Sequence, residues 1–388
     1  MTDWKTKLIH PDAHAPKGFR SLAEPTWRGS TVLFSRVSSL IDNWNQYEYG
    51  YSYGLYGTPT TLELASRICE LEKGYHTLIT PGGLAAITLT DIAFLQAGDH
   101  VLIPANAYGP NRNFANTILK RFKVESTIYQ PTIGAGIREH FRPNTRLVWC
   151  ESPGSITMEV QDVPAIAQAA HEHGALVAVD NTWSAGVLFE AFAHGADISV
   201  QALTKYVGGH SDLLLGSVTA RERAVWERLG EAQELLGQGA SPDDCALALR
   251  GLKTMAVRLG QIECSALDLA RWLAERPEIE LVLHPALDSC PGHELWQRDF
   301  TGSSGVFSFV FRPGIEKSEV HAFVDALKLF GIGYSWGGVA SLVMTYDLSK
   351  REERPKYQHR IVRLNIGLED KEDLRADLDH ALRTSIGR

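Results

Sequence analysis

The chain has 388 residues and a mass of 42.8 kDa, a length that predicts about two domains with a large buried core. Its 46 acidic residues outnumber 38 basic ones, which gives a formal charge of -8 and a pI near 6.0. This acidic balance argues against a protein that binds nucleic acid or an anionic membrane, because both ligands require a basic surface.

The cysteine pattern and the N-terminus exclude further classes of protein. The five cysteines lie far apart and form no CxxC pair, so we expect no disulfide framework, no cysteine zinc site and a reducing cytoplasm. The first residues, MTDWKTKLIHPDAH, lack the apolar core of a secretory signal. Residues 78–95 form the longest apolar stretch, but Pro81 and Asp91 interrupt it, which predicts a buried helix rather than a membrane span.

The first element in chain order is an irregular arm. Residues 1–57 contain the polar and aromatic run DNWNQYEYGYSYGLYG and show no sustained strand or helix period. We therefore expect this arm to pack against another part of the assembly rather than to fold as a domain of its own.

Between residues 58 and 250, helical segments alternate with short apolar strands. The run TLELASRICELEKG predicts an amphipathic helix that ends at Gly74. Such alternation predicts an α/β domain with a mostly parallel sheet and helices on both faces. The predicted strands are HTLIT, DHVLIP, VESTIY, TRLVWCE, ALVAVD and DISVQ.

Residues 251–388 predict a smaller α+β domain. A long helical pattern runs from Asp243 to Glu275, and we place the domain boundary within it, near Gly251. After this helix come the apolar runs IELVLHPA and GVFSFVFRPG, a helix at SEVHAFVDALKLF, a glycine-rich loop at YSWGG and the run IVRLNIGLED.

Ligands of open α/β sheets bind beyond the carboxyl ends of the strands, so polar residues there are candidates for a site. Gly82 and Gly83 open a helix and form either an anion cradle or an ordinary turn. Asp180 is either a cap or a buried carboxylate with a cationic partner. Lys205 is either a surface residue or a desolvated nucleophile. The other polar residues at strand ends are Glu151, Ser152 and Thr204.

Together, these features predict a site for pyridoxal 5'-phosphate. The glycine turn would bind the phosphate, Asp180 would keep the pyridine nitrogen protonated, and Lys205 would form a Schiff base with the aldehyde. No GxGxxG or P-loop motif is present, so a dinucleotide or P-loop nucleotide site is not expected. No metal site is expected either, because His171 and His173 have no third ligand nearby in the sequence.

From about residue 49 to the C-terminus, the sequence closely resembles the Cys/Met-metabolism family of pyridoxal-phosphate enzymes, and within it the β-lyase branch. The motifs that carry the resemblance are ESPGSITMEVQDVPAI, DNTWSAGVLF, ALTKYVGGHSD, RDFTGSSGVFSFV, YSWGG and RLNIGLEDKEDLRADL. The resemblance implies fold type I, which is the aspartate aminotransferase-like fold, and a homotetramer of two dimers with active sites at the dimer interface. Residues 1–57 would then reach the neighbouring subunit, residues 58–250 would bind the cofactor, and residues 251–388 would form the C-terminal domain.

The resemblance also assigns roles to individual residues. The expected catalytic residues are Lys205, Tyr108 and Tyr53. The expected cofactor-binding residues are Lys205, Asp180, Tyr108, Gly83, Leu84, Thr204 and Tyr53, the last from the neighbouring subunit. The expected substrate-binding residues are Arg363, Ser335, Trp336 and Asn181, with Arg363 on the α-carboxylate.

Two positions depart from the family pattern. Leu55 stands where many members have an arginine near the phosphate, and Ala340 stands where many have a glutamate. Both changes concern the distal part of substrate recognition and leave Lys205, Asp180 and Arg363 intact.

The resemblance implies a carbon–sulfur lyase that releases homocysteine, pyruvate and ammonia from L-cystathionine by α,β-elimination. Three alternatives remain open at this point. The chemistry is γ-elimination or γ-replacement, the enzyme is a specialised β-lyase or racemase for another amino acid, or the chain binds the cofactor without catalysis.

Overall fold

The computed structural model describes residues 21–349 and 357–386. The prediction that the first residues are not a secretory signal therefore concerns residues outside the described part. The helices are α1 (Gln46–Tyr49), α2 (Pro59–Glu72), α3 (Gly83–Phe94), α4 (Gly109–Phe114), α5 (Val163–Glu172), α6 (Arg223–Leu236), α7 (Pro242–Ala274), α8 (His293–Asp299), α9 (Lys317–Ala326) and α10 (Lys371–Ser385). Short 3-10 turns cover Val37–Ser39, Gly54–Tyr56 and Pro131–His140, and a π-helical turn covers Ala115–Leu119.

The larger sheet follows the arm and lies between residues 76 and 220. Its strands are β1 (His76–Thr80), β2 (His100–Pro104), β3 (Glu125–Tyr129), β4 (Thr145–Glu151), β5 (Leu176–Asp180), β6 (Ile198–Gln201) and β7 (Gly216–Ala220). They lie in the order β1-β7-β6-β5-β4-β2-β3, and β7 alone runs antiparallel to its neighbours. Two apolar clusters cover the faces of this sheet, so its central strands are buried on both sides.

Strand β7 and helix α6 were not predicted from the sequence. Strand β7 reads GSVTA, and its small and polar residues give no apolar run. Helix α6 was missed as well, although it buries Trp226 and Leu229 against α3 and the sheet.

The second sheet belongs to the C-terminal segment. Its strands are β8 (Ile279–Leu283), β9 (Val306–Phe311), β10 (Gly331–Ile332), β11 (Leu342–Tyr346) and β12 (Ile361–Asn365), in the order β10-β11-β12-β9-β8. A third apolar cluster, rich in phenylalanine, joins this sheet to α7, α9 and α10. The predicted fold, a mostly parallel sheet flanked by helices with a smaller α+β segment after it, is therefore confirmed.

Helix α7 connects the two sheets. Ser241 caps its N-terminus by accepting a hydrogen bond from the N–H of Asp244. The predicted boundary near Gly251 lies inside this continuous helix, so its exact position stays a prediction. Within the described residues, no helix is long and apolar enough to cross a membrane.

Candidate active site

A cavity of about 660 Å³ lies at the carboxyl ends of the parallel strands, within the ~300–1,000 Å³ range of small-molecule sites. Its walls come from the ends of β4 and β5, from the loops after β1 and β6, and from the C-terminal segment. We call this space the central cavity. Its charged lining residues, among those described, are Glu151, Asp180, Lys205 and Arg363.

One corner of the central cavity is formed by the start of helix α3. Gly82 and Gly83 line it, and a Cβ on Gly83 would come within 2.6 Å of the Cβ of Ala202. Backbone N–H groups in the first turn of a helix have no intrahelical partner and attract an anion. Leu84 and Thr204 line the same cavity. A phosphate group therefore fits this corner.

Asp180 supplies a carboxyl group to the cavity at the end of β5. Its Oδ1 accepts hydrogen bonds from the Thr182 hydroxyl at 2.5 Å and from the Thr182 N–H at 3.1 Å. Burial raises the pKa of Asp180, while the bonds from Thr182 and the charge of Lys205 act in the opposite direction. A carboxyl group placed this way suits a protonated ring nitrogen.

Lys205 projects into the cavity from the loop after β6. Its Nζ donates a hydrogen bond to the hydroxyl of Ser335 and lies 5.3 Å from the ring centroid of Trp336. The pKa of Lys205 is lowered from 10.5 to about 8. Burial is the largest cause and the positive charge of Arg363 contributes, whereas the carboxyl group of Asp180 acts in the opposite direction. The amine is therefore much closer to its nucleophilic, neutral form than an exposed lysine would be.

Arg363 reaches the cavity from β12, opposite the larger sheet. Its Nη2 donates to the backbone carbonyl of Ser335 at 3.2 Å, and its guanidinium carbon lies 5.2 Å from the ring centroid of Tyr346. Burial lowers the pKa of Arg363, and its guanidinium lines the central cavity. The guanidinium is thus placed to bind a carboxylate ligand.

Tyr108 is held at the cavity through Glu151, a residue to which the sequence alone assigned no role. The Glu151 Oε2 accepts a hydrogen bond from the Tyr108 N–H at 2.6 Å, and its Oε1 accepts one from the Ser155 hydroxyl at 2.6 Å. Burial and the nearby Asp180 carboxyl raise the pKa of Glu151 to about 8. The position of Glu151 at a strand end was the signal that could have identified it.

Several residues of the cavity wall have an unusual backbone conformation. Ile156 has φ of 75°, Met158 has φ of 58°, and Ser335 has φ of 77°. Non-glycine residues rarely adopt positive φ, and each costs on the order of 1–3 kcal/mol. Such conformations concentrate at functional sites, and here all three residues line the same cavity.

Two of the predicted site residues do not reach the central cavity of this chain. The Asn181 side chain is buried, donates to the Phe189 carbonyl at 3.2 Å and accepts from Ser184. In this orientation the Asn181 side chain does not line the central cavity, where the substrate is predicted to bind. Tyr53 lies on the arm with 47% of its surface exposed and is not among the lining residues.

The two departures from the family pattern also lie away from the cavity lining of this chain. Leu55 lines a small cleft between the arm and α6, with Tyr56 beside it. Ala340 is exposed, and its carbonyl accepts a hydrogen bond from Asn365 at 3.1 Å.

The described cavity fits pyridoxal phosphate better than a metal ion. An anion corner, a carboxyl group and a partly neutral amine surround one space of suitable volume. Among the described residues, no group of three or more His, Cys, Asp and Glu is arranged to hold a metal. The fold and the site together define a pyridoxal-phosphate enzyme of fold type I.

Comparisons with known proteins agree with this class. The model of the Cys/Met metabolism PLP-dependent enzyme family matches residues 5–383. The cystathionine beta-lyase MetC of Escherichia coli is 45% identical, with 91% of each chain covered. The cystathionine beta-lyase of Salmonella typhimurium is 41% identical over 97% of this chain and 98% of its own length.

A solved structure gives the same result for the fold. The crystal structure of MetB from Corynebacterium glutamicum superposes with a TM-score of 0.87 at 29% identity and covers 98% of both chains. The chain belongs to the Cys/Met-metabolism family of pyridoxal-phosphate-dependent enzymes. The resemblance noted in its motifs is thereby confirmed.

Proposed function

We propose that this enzyme is a carbon–sulfur lyase that converts L-cystathionine to homocysteine, pyruvate and ammonia by α,β-elimination. The names of the Escherichia coli and Salmonella relatives support this substrate. The observation that carries the proposal is the bridging position of Ser335. Its hydroxyl contacts the amine of Lys205 and its carbonyl contacts the guanidinium of Arg363.

This arrangement gives each of the two cationic residues a task. Arg363 binds the α-carboxylate of the substrate, which fixes the α-carbon near Lys205. When bound, pyridoxal phosphate withdraws electrons from the α-carbon and makes its proton acidic. The neutral amine of Lys205 accepts that proton, and its pKa near 8 suits a base at neutral to mildly alkaline pH.

The proton taken from the α-carbon leaves the site on the sulfur of the product thiol. The bond between Cβ and sulfur breaks with its electron pair on sulfur, and Lys205 returns its proton to the thiolate. Water then completes the release of pyruvate and ammonia, so the reaction is redox-neutral. Tyr108 is the second candidate donor to the thiolate, because its ring lies at the cavity with 43% of its surface exposed.

The remaining site residues receive supporting roles in this proposal. Asp180 would keep the ring nitrogen protonated, Tyr108 would cover the ring, and Ser335 and Trp336 would border the substrate. Gly83, Leu84 and Thr204 would hold the phosphate, with Tyr53 contributed by a neighbouring subunit. The exposure of Tyr53, away from its own cavity, supports this last assignment.

The assembly and the compartment are part of the same proposal. We infer a homotetramer built from two dimers, with residues 1–57 as an arm that serves the neighbouring site and domains at 58–250 and 251–388. All five cysteines are unpaired, as expected for a protein of the reducing cytoplasm.

The test is to incubate the cofactor-loaded enzyme with L-cystathionine and to identify the products by mass spectrometry. Pyruvate with homocysteine is expected. 2-Oxobutyrate with cysteine would instead indicate γ-elimination, and D-amino acids formed from L-amino acids would indicate a racemase. Unchanged substrate would contradict the proposal.

A lysine variant separates the role of Lys205 from general damage. Lys205→Ala is expected to reduce the release of pyruvate by at least about a thousandfold, because it removes the base. Lys317→Ala is the matched control, since Lys317 is an exposed lysine paired with Asp347. Turnover by Lys205→Ala at the wild-type rate would refute the assignment.

A further inference from the structure

We propose that Glu151 is a positioning residue for the reaction: its buried carboxyl group fixes the loop that carries Tyr108, and with it the place of the Tyr108 ring in the central cavity. The sequence motifs assigned no role to Glu151. The inference rests on the proposed role of Tyr108, which is to cover the cofactor ring, and it names the residue through which Tyr108 is held.

The first step is the position of the Glu151 carboxyl group between two loops of the cavity wall. Glu151 is 8% exposed, its Oε2 accepts the N–H of Tyr108 at 2.6 Å, and its Oε1 accepts the hydroxyl of Ser155 at 2.6 Å. Tyr108 belongs to the loop after β2 and Ser155 to the loop after β4, and both residues line the central cavity. One carboxyl group therefore joins two separate loops of the site.

The second step is that Glu151 is itself held firmly through its backbone. Its N–H donates to Oε1 of Gln161 at 2.7 Å, and Nε2 of Gln161 donates to the hydroxyl of Tyr129 at 3.1 Å. Both partners are 1% exposed. Glu151 is also the register partner of Asp180 across β4 and β5. A side chain supported in this way can set the position of a neighbouring loop accurately.

The third step concerns the loop that carries Tyr108. The side-chain amide of Asn106 donates to the carbonyl of Glu159 at 3.3 Å, which holds the loop two residues before Tyr108. Tyr108 directly precedes helix α4, and its own N–H is the group that Glu151 binds. If the carboxyl group is removed, the backbone at Tyr108 loses this anchor and the ring moves with it.

The fourth step is that Glu151 acts through hydrogen bonds rather than through its charge. Burial and the nearby carboxyl group of Asp180 raise the pKa of Glu151 to about 8, so the carboxyl group is mostly neutral at pH 7. A neutral carboxyl group keeps the oxygen that accepts the N–H of Tyr108. Glutamine has the same shape and also offers an acceptor oxygen, so Glu151→Gln should hold the loop, whereas Glu151→Leu should not.

Amide hydrogen exchange tests the anchor directly, on the full chain with and without pyridoxal phosphate. Mass spectrometry of the peptide that contains Tyr108 is expected to show at least about tenfold faster exchange of its N–H in Glu151→Leu, and a change within about threefold in Glu151→Gln. Glu263→Leu is the matched control, since Glu263 also accepts one N–H and one hydroxyl, both from Ser303, and does not line the cavity. Unchanged exchange in Glu151→Leu would overturn the inference.

A double-mutant cycle tests whether Glu151 acts through Tyr108. Tyr108→Ala and Glu151→Leu are each expected to weaken the binding of pyridoxal phosphate about tenfold, as measured by absorbance titration. The double variant should also be about tenfold weaker, because the second change removes a support for a ring that is already absent. Losses that multiply to about a hundredfold would overturn the inference. Wild-type affinity of Tyr108→Ala would refute the role of Tyr108, and the inference with it.

Both readouts are independent of the substrate, so a failure of β-elimination with L-cystathionine is distinguishable from a failure of this inference. Ser155→Ala is the second variant if Glu151→Leu does not fold. It removes one of the two hydrogen bonds to the carboxyl group, and it is expected to speed exchange at Tyr108 and to weaken cofactor binding about threefold. No change in either quantity would contradict the inference.

Discussion

At the scale of single residues, the amine of Lys205 is under two opposing electrostatic influences. Arg363 lowers its pKa by repulsion and Asp180 raises it by attraction, while burial provides the largest effect. The pKa of about 8 is therefore a property of three side chains from different strands and loops. Changing either neighbour should move it in a known direction.

We predict that Lys205 of the cofactor-free enzyme reacts with acetic anhydride with a midpoint near pH 8, because only the neutral amine is acylated. Arg363→Met should raise this midpoint by removing a positive charge, and Asp180→Asn should lower it by removing a negative one. The measurement is the pH dependence of acetylation at Lys205, read by peptide mass spectrometry. A wild-type midpoint near the ordinary lysine value of 10.5 would contradict the assignment.

Asp91 is a second buried titratable residue, and it lies on α3 outside the cavity. Its Oδ1 accepts a hydrogen bond from the Trp149 indole at 2.8 Å, and burial raises its pKa from 3.8 to about 7. The folded chain therefore keeps a proton that the unfolded chain loses. As the pH rises from about 4 to about 7, this carboxyl group progressively reduces the stability of the fold.

We predict that Asp91→Asn is more stable than the wild type at pH 8 and loses this advantage at pH 4. The advantage is at most on the order of 4 kcal/mol, from ~1.4 kcal/mol per pKa unit. Urea unfolding at the two pH values measures it. Asp325→Asn is the control, because Asp325 is exposed, and its stability should follow the wild type. An Asp91→Asn difference that is the same at both pH values would contradict the prediction.

The orientation of a residue at a strand end was harder to predict than its position. Asp180 and Asn181 are adjacent, and the sequence placed both at the same edge of the sheet. Consecutive side chains of a strand point to opposite faces, so when Asp180 faces the cavity Asn181 faces away. The position of Glu151 at a strand end was predicted, but its role was not. That role depends on the N–H of Tyr108, which lies 43 residues away in the chain.

At the scale of elements, the start of helix α3 depends on one close approach. We predict that Gly83→Ala weakens cofactor binding at least about tenfold, because its Cβ would meet the Cβ of Ala202 at 2.6 Å and displace the phosphate corner. Gly260→Ala is the matched control, since Gly260 lies on α7 outside the cavity lining and a Cβ there has nothing within 4 Å. The affinity for pyridoxal phosphate is measured by absorbance titration, and equal affinities of the two variants would contradict the prediction.

Elements with a strong apolar signal could be predicted from the sequence, and those without one could not. Strand β2 is HVLIP and buried throughout, and it lies where the apolar run predicted it. Strand β7 is also buried throughout, but its residues are GSVTA. It is held by pairing with the preceding strand β6 and with β1, which lies far earlier in the chain, so the tertiary structure determines it rather than local propensity.

At the scale of the whole molecule, the arm exposes several large apolar side chains. Leu22, Leu33 and Val37 are 99%, 90% and 83% exposed. The backbone of Tyr53 is held by the side-chain amide of Gln46, which donates to its carbonyl at 2.8 Å, yet Tyr53 does not line the cavity of its own chain. These residues are consistent with an arm that is completed by a second copy.

We predict that two inactive variants restore activity when their subunits are mixed. Lys205→Ala removes the base and Tyr53→Ala removes the phosphate contact, so each alone should lose activity. If Tyr53 serves the neighbouring site, each mixed dimer contains one site with both wild-type residues, and random mixing restores about a quarter of the wild-type activity. The variants are unfolded together in urea, refolded with cofactor and assayed for pyruvate. If Tyr53 served its own site instead, no mixed dimer would contain a complete site, and the mixture would show only the residual activity of its parts.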